Sequence, residues 1–151
     1  MEVKTGAYRQ NQLMYEVVGA CIEVHKELKW ALYEKAYQLA LVHLLKKRGH
    51  EVVAEAPIDF YFQGEKLSSG LRADILVDNQ LIIELKAVEE LTSEHHFQLH
   101  TYMMLSKIPY GLLVNFHARD LVRDGLFRKS LDQIRAHYGL PRDENSNSPY
   151  L

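Results

Sequence analysis

The chain has 151 residues, 47% hydrophobic, 25% charged and 10% aromatic, with a formal net charge of -2. That length and apolar content fit one compact domain with a packed core, and they exclude a fibrous, low-complexity or wholly disordered chain. No apolar run approaches the roughly 20 residues that cross a bilayer, and the opening residues lack the apolar stretch of a secretion signal. The expected setting is therefore the cytoplasm, with no membrane partner. The single cysteine, Cys21, excludes an intramolecular disulfide and cannot supply a thiolate cluster for structural zinc.

In chain order, Leu13, Val17, Cys21, Val24 and Leu28 recur at spacings of four and three, which predicts an amphipathic helix from about Asn11 to Leu28. Leu32, Ala36, Leu39, Ala40 and Leu44 predict a second helix over Leu32 to Arg48, with Lys46-Lys47-Arg48 in its last turn and Gly49 as its stop. Short β-rich runs follow at Glu51–Ala54, Ile58–Phe62, Leu71–Val77 and Leu81–Val88, separated by Pro57, Gln63-Gly64 and Asp78-Asn79-Gln80. Thr92 or Ser93 can cap a third helix to about Ser106. Tyr110–Phe116 reads as another strand, and Phe127–Tyr138 as a short strand and a last helix. Residues 1–140 then form one domain, and Pro141–Leu151 reads as a disordered tail. The order predicts an α/β fold, a mixed sheet flanked by helices.

Charge is unevenly spread. Residues 51–100 hold three basic and ten acidic groups, against eight and five before them and seven and five after. A purely electrostatic nucleic-acid binder would be more basic, so a phosphate partner needs a basic rim or a metal to offset the central carboxylates. Strand alternation sets Asp74 on the face opposite Ile75 and Val77, and Glu84 with Lys86 on the face opposite Ile83 and Leu85. A tight Asp78–Gln80 connection makes the two strands neighbours. Two carboxylates 4–5 Å apart repel by roughly 3–4 kcal/mol at an effective dielectric near 20. Such a cluster shares a proton, recruits Lys86, or holds a divalent cation. With Glu34 added it stays net negative, and its oxygen donors point to Mg²⁺ or Mn²⁺ rather than zinc.

Asp74 followed by Glu84-Leu85-Lys86 resembles the D-(D/E)-x-K core of the PD-(D/E)xK nuclease superfamily, a restriction-endonuclease-like fold. The resemblance is closer still to its GxxExxY branch. It runs through Val18-Gly19-Ala20 and Glu23-Val24-His25, Glu34-x-x-Tyr37, Gly70-x-Arg72-Ala73-Asp74, Glu84-Leu85-Lys86-Ala87 and Asn115-Phe116, over about residues 13–130. Gln98-x-x-x-Tyr102 also resembles the Q-x-x-x-Y motif of the RecB-type branch and shares one helix face. One block departs: the family's Gly-Pro-Gly turn is Lys29-Trp30-Ala31 in this chain, with less permissive backbone ahead of Glu34. The resemblance implies a Mg²⁺- or Mn²⁺-dependent nuclease acting on DNA or RNA. Asp74, Glu84 and the Leu85 carbonyl are then metal ligands, joined by Glu34. Lys86 orients a water and stabilises developing charge, and Gln98 and Tyr102 position phosphate or nucleophile.

Plainer readings stand beside these. Asp74, Glu84 and Lys86 can form a structural ion cluster, and Lys46-Lys47-Arg48 can serve only its own helix dipole. His96 and His100 share a helix face but lack the neighbouring Glu and third ligand of a zinc site, so they read as solvated or rim histidines. Trp30 and Tyr33 read as a hydrophobic plug rather than a base-stacking pair, and His25 as either a neighbour of the site or a core histidine. The competing function is a catalytically inactive nuclease-fold module that binds nucleic acid or protein. A homo-oligomer built on Tyr110–Phe116 as an exposed edge strand is a further expectation.

Overall fold

A computed structural model describes residues 6–142. The tail expected over Pro141–Leu151 lies outside the described residues from position 143 onward. Five strands form one sheet in the order β1-β2-β3-β4-β5: β1 Val52–Phe62, β2 Glu65–Val77, β3 Leu81–Lys86, β4 Tyr110–Asn115 and β5 Leu126–Ser130. The pairs β1–β2, β2–β3 and β4–β5 are antiparallel, while β3–β4 is parallel. Parallel neighbours need a crossover, which is helix α3, Ser93–Ser106. Helices α1, Gly6–Leu28, and α2, Glu34–Lys47, pack on one face of the sheet through Val17, Cys21, Tyr37, Leu41 and Leu45. On the other face lie α3 and α4, Leu131–His137, through Leu99, Met103 and Ile134. The fold is the expected mixed sheet flanked by helices, and among the described residues no helix is long and apolar enough to cross a membrane.

Several boundaries differ from expectation for tertiary reasons. The runs Glu51–Ala54 and Ile58–Phe62 are one strand, because β1 is an edge, where a proline is tolerated within a strand. A register shift between Pro57 and Asp59 absorbs the ring. β2 reaches back to Glu65, since Gln63 and Gly64, at φ +50° and +80°, make the two-residue turn whose twist suits a hairpin. Helix α2 starts at Glu34 rather than Leu32, and its buried stripe is Tyr37, Leu41 and Leu45. Leu39, expected inside, is 62% exposed. β4 is not an edge: it lies between β3 and β5, with every residue after Tyr110 buried, so Tyr110–Phe116 has no free ladder for a second copy. Gly111 on β4 lets α3 lie close to the sheet, because a Cβ there would fall 2.4 Å from Met103 Sδ.

Candidate active site

The β2–β3 ladder pairs Val77 with Leu81, Leu76 with Ile82 and Ile75 with Ile83, and the regular pairing stops there. Beyond it two carboxylates take the place of backbone acceptors. Asp74 N–H donates to Glu84 Oε1 at 2.9 Å, and Leu85 N–H donates to Asp74 Oδ2 at 2.8 Å. Each acid is thus held by the main chain of the opposite strand. The strand also turns over at this point: Ala73 packs in the core under α3, whereas Ile75, two residues on, packs in the core under α1 and α2. In a regular strand those two residues would share a face. The candidate site is therefore the fork between β2 and β3 rather than one flat sheet face. A strand residue's N–H and C=O point to the same side, so the Leu85 carbonyl faces the fork with its amide.

Burial and mutual repulsion set the protonation of this pair. Glu84 is 1% exposed. Its pKa is pushed up to about 9, first by burial and then by the Asp74 charge, with Lys86 pulling the other way. Asp74 is also raised by burial, although the Leu85 amide, Glu84 and Lys86 all favour its ionised form. Glu34, the first residue of α2, is raised by burial and by Asp74, against Lys86. All three acids therefore feel the same lysine, and one positive charge does not offset their burial and mutual repulsion. Glu34 approaches from the α2 side, while Tyr102 on α3 approaches from the other. The Tyr102 hydroxyl is raised by burial and by Glu84 and Asp74, and accepts from Gln98 Nε2 at 2.8 Å.

Two residues of this cluster escaped sequence reasoning. Gln38 is buried and donates through Nε2 to the Asp74 carbonyl at 3.0 Å and to Glu55 Oε1 at 2.8 Å. Glu55 sits in β1 at φ +52° and adds negative charge felt by Asp74 and Glu34. The available signal for Gln38 was its place four residues after Glu34, one turn along the same helix face. Glu55 carried no signal, because its nearness to Asp74 comes from the β1–β2 pairing.

The other motif blocks hold the turn before Glu34. Lys29, where the resemblance to the GxxExxY branch would place a first glycine, adopts φ +64° at the end of α1. The Tyr37 hydroxyl donates to the Lys29 carbonyl at 2.8 Å and accepts from Leu32 N–H at 3.2 Å, and the Tyr37 ring stacks on Phe116 at 4.6 Å. His117 Nε2 donates to the Leu32 carbonyl at 2.6 Å. Asn115 joins the ends of β3 and β4: its Nδ2 donates to the Val88 carbonyl and its Oδ1 accepts from Val88 N–H. The turn forms without glycine because side chains fasten it from two directions. A left-handed non-glycine residue costs roughly 1–2 kcal/mol, so Lys29→Gly is expected to stabilise the fold by about 1 kcal/mol in a denaturant titration, after the added chain entropy is deducted. Tyr37→Phe is expected to cost about 0.5–1.5 kcal/mol, because it removes the hydroxyl that bonds the Lys29 carbonyl and the Leu32 N–H, groups that water can reach in its place.

The remaining candidates fall away from the fork. His25 is buried, with Nε2 bonded to the Ala118 carbonyl at 2.7 Å, so it ties α1 to the loop after β4. Trp30 packs between His25 and Arg119, whereas Tyr33 is 90% exposed and plugs nothing. His95 Nδ1 accepts from Thr92 N–H at 3.0 Å and closes the start of α3. Arg48 pairs with Glu23 of α1, while Lys46 and Lys47 occupy the last turn of α2.

The donors at the fork fit a hard divalent cation. Asp74 and Glu84 offer carboxylate oxygens whose repulsion such an ion relieves, and the Leu85 carbonyl supplies a third oxygen. Among the described residues no three His, Cys, Asp or Glu side chains form a metal-binding group. So small a side-chain donor set suits a hard divalent cation that keeps several of its waters. The sequence matches the family model of the PD-(D/E)XK nuclease superfamily over residues 11–128, and nucleases of this superfamily typically use divalent metals. No curated protein matches the sequence. The solved structure of SSO0001 is 20% identical over 88% of this chain and 67% of its own, with a TM-score of 0.44. With the family model spanning most of its length, the chain belongs to the PD-(D/E)XK nuclease superfamily.

Proposed function

We propose that this chain is a divalent-metal-dependent nuclease of the GxxExxY branch that hydrolyses phosphodiester bonds in DNA or RNA. The observation that carries this reading is the fork itself, where Asp74 and Glu84 are each held by the opposite strand's backbone with Lys86 beside them. Asp74, Glu84 and the Leu85 carbonyl would hold Mg²⁺ or Mn²⁺, which when bound would polarise the scissile phosphate and acidify a water. Lys86 brings a positive charge to the point where negative charge develops, and Glu34 adds an acceptor from α2. Gln38 fixes the Asp74 main chain, so the aspartate does not drift as its charge changes. The Gln98–Tyr102 pair offers hydrogen bonds to a substrate phosphate from the α3 side.

A second reading, a catalytically inactive nuclease-fold module that binds nucleic acid or protein, draws on Glu34 not completing a three-residue metal group with Asp74 and Glu84. The test incubates the chain with single- and double-stranded DNA and RNA, with Mg²⁺, with Mn²⁺ and with chelator, beside a thermal melt in each condition. The nuclease reading expects cleavage only with metal, together with a rise in melting temperature from binding to the folded site. No cleavage of any substrate and no metal-dependent stabilisation would transfer the assignment to the inactive module.

A further inference from the structure

Helix α3 has a second polar face. Away from Gln98 and Tyr102 it closes, with β5 and α4, a cavity of about 450 Å³. Two fixed cations, Arg128 and Lys129, and three histidines line it, and none of its lining residues is acidic. Lys129 Nζ donates to His96 Nδ1 at 2.9 Å and has no carboxylate partner among the described residues. Burial lowers its pKa, as for a cation held without a counter-ion. His100 is more than nine-tenths buried; its Nδ1 is bonded to the Tyr138 hydroxyl at 2.9 Å, and its Nε2 has no hydrogen-bond partner among the described residues. Buried polar atoms are nearly always satisfied; with Nδ1 accepting from the Tyr138 hydroxyl, the neutral ring carries its proton on Nε2, and that unmet N–H beside Lys129 marks a place for an anionic ligand. At the rim Phe97, 51% exposed, meets Tyr138 edge to face at 6.4 Å. Exposed rings beside cations suit an unstacked nucleotide, with phosphate on the cations and base on the rings.

The neighbouring cavity, about 750 Å³ near the ends of β3 and β4, shares His96 with the first. It is lined by Glu89, Glu90 and Asp124, and its Arg119 is stacked on Trp30. Phosphate is therefore favoured in the first cavity. We infer that the cavity between α3, β5 and α4 binds a phosphate of a single nucleic-acid strand and seats the adjacent base on Phe97 and Tyr138. This rests on the nuclease reading for its substrate, and it makes α3 the element that links strand binding to the fork.

The test measures binding in a Glu84→Gln background, so that the strand survives, using a fluorescent single-stranded oligonucleotide of about ten nucleotides. The double variant Arg128→Gln/Lys129→Gln is expected to raise Kd about tenfold and to flatten the salt dependence by about 0.7 for each phosphate no longer neutralised. Far-UV circular dichroism checks its fold, and the single variant Arg128→Gln, at an exposed position, keeps the test open if the double variant unfolds. A charge-matched control, Lys46→Gln/Lys47→Gln on exposed α2, is expected to change Kd by less than about twofold. Phe97→Ala should weaken a strand with bases and leave an abasic strand of equal length unaffected.

An effect of the cavity variants no larger than that of the control would overturn the inference. So would stabilisation by inorganic phosphate with an oligonucleotide affinity indifferent to Arg128 and Lys129, which marks a free-phosphate site. If the chain with Glu84 intact cleaves while the cavity variants leave Kd unchanged, only this site falls. If it does not cleave but the binding pattern holds, the catalytic reading falls and the site stands.

Discussion

Glu84→Ala is expected to abolish cleavage and, in the same protein, to remove the rise in melting temperature that Mg²⁺ gives the wild type. Lys86→Ala is expected to separate the two effects. It should leave metal binding nearly intact, or tighten it by removing a competing positive charge, while cutting the cleavage rate by about 10²–10³, the usual cost of removing one electrostatic stabiliser. The contrast follows from where the charges sit. Glu84 and Asp74 share the fork, each held by an amide of the opposite strand, so losing one carboxylate halves the side-chain donors available to a cation. Lys86 acts on the acids only through its charge. A structural ion cluster predicts another pattern: no melting temperature would respond to metal, and removing either partner of a buried pair would cost roughly 3–5 kcal/mol. Thermal melts of the three proteins with Mg²⁺ and with chelator, beside a cleavage time course, distinguish the cases.

The metal-free protein is expected to lose stability as pH rises from about 4.5 to about 9, the interval between the ordinary pKa of Glu84 and its raised value in the fold. The sign follows from linkage. A carboxyl whose folded-state pKa lies above its unfolded value makes the native state bind more protons, so its contribution is complete below the unfolded pKa and is lost as pH climbs through the folded one. Each pH unit of separation is worth about 1.4 kcal/mol, which is large against the 5–15 kcal/mol typical of a domain. Asp74, raised in the same direction, adds to the effect. Glu84→Gln should flatten this slope and, above about pH 7, melt higher than the wild type when chelator is present. Mg²⁺ should reverse the order, because it binds the ionised pair and displaces the shared proton, so its stabilisation of the wild type grows with pH. A metal-free stability profile for the wild type that is level between about pH 5 and pH 9 would show that the carboxylates are not under strain.

Gln38 extends the same logic away from the acids. It contributes an amide to the Asp74 carbonyl and to Glu55, so Gln38→Ala is expected to leave both metal-binding carboxylates present while loosening their setting. The readout is a weaker metal-induced shift in melting temperature together with a destabilisation of about 1–3 kcal/mol for the unpaired buried acceptor.

How far the sequence reached differs from one element to the next. The stripe Leu13, Val17, Cys21 and Val24 was legible because a helix face repeats locally, and all four side chains are buried. The cap at Thr92 and the stop at Gly49 are likewise local backbone events, and α3 and α2 begin and end beside them. The acids Asp74 and Glu84 and the lysine Lys86 were legible as chemistry, since three ionic side chains in otherwise apolar strands require an explanation. Alternation could not say how they meet, because β2 turns over at Asp74 and the acids replace ladder acceptors between strands. Only tertiary pairing decided that Pro57 is tolerated at an edge, that β4 is interior, and that Leu39 faces out while Tyr37 faces in.

The missing Gly-Pro-Gly turn shows the division most plainly. Propensity alone leaves Lys29 at φ +64° unfavourable, yet Tyr37, one turn into the next helix, together with Phe116 and His117, distant in sequence, fastens the turn and delivers Glu34 towards the fork. Residue types and local periodicity determined the elements and the chemistry available to this protein. The placing of Gln38, Glu55 and Tyr102 around that chemistry was decided by long-range packing, whose energy belongs to pairs of residues that no sequence window contains together.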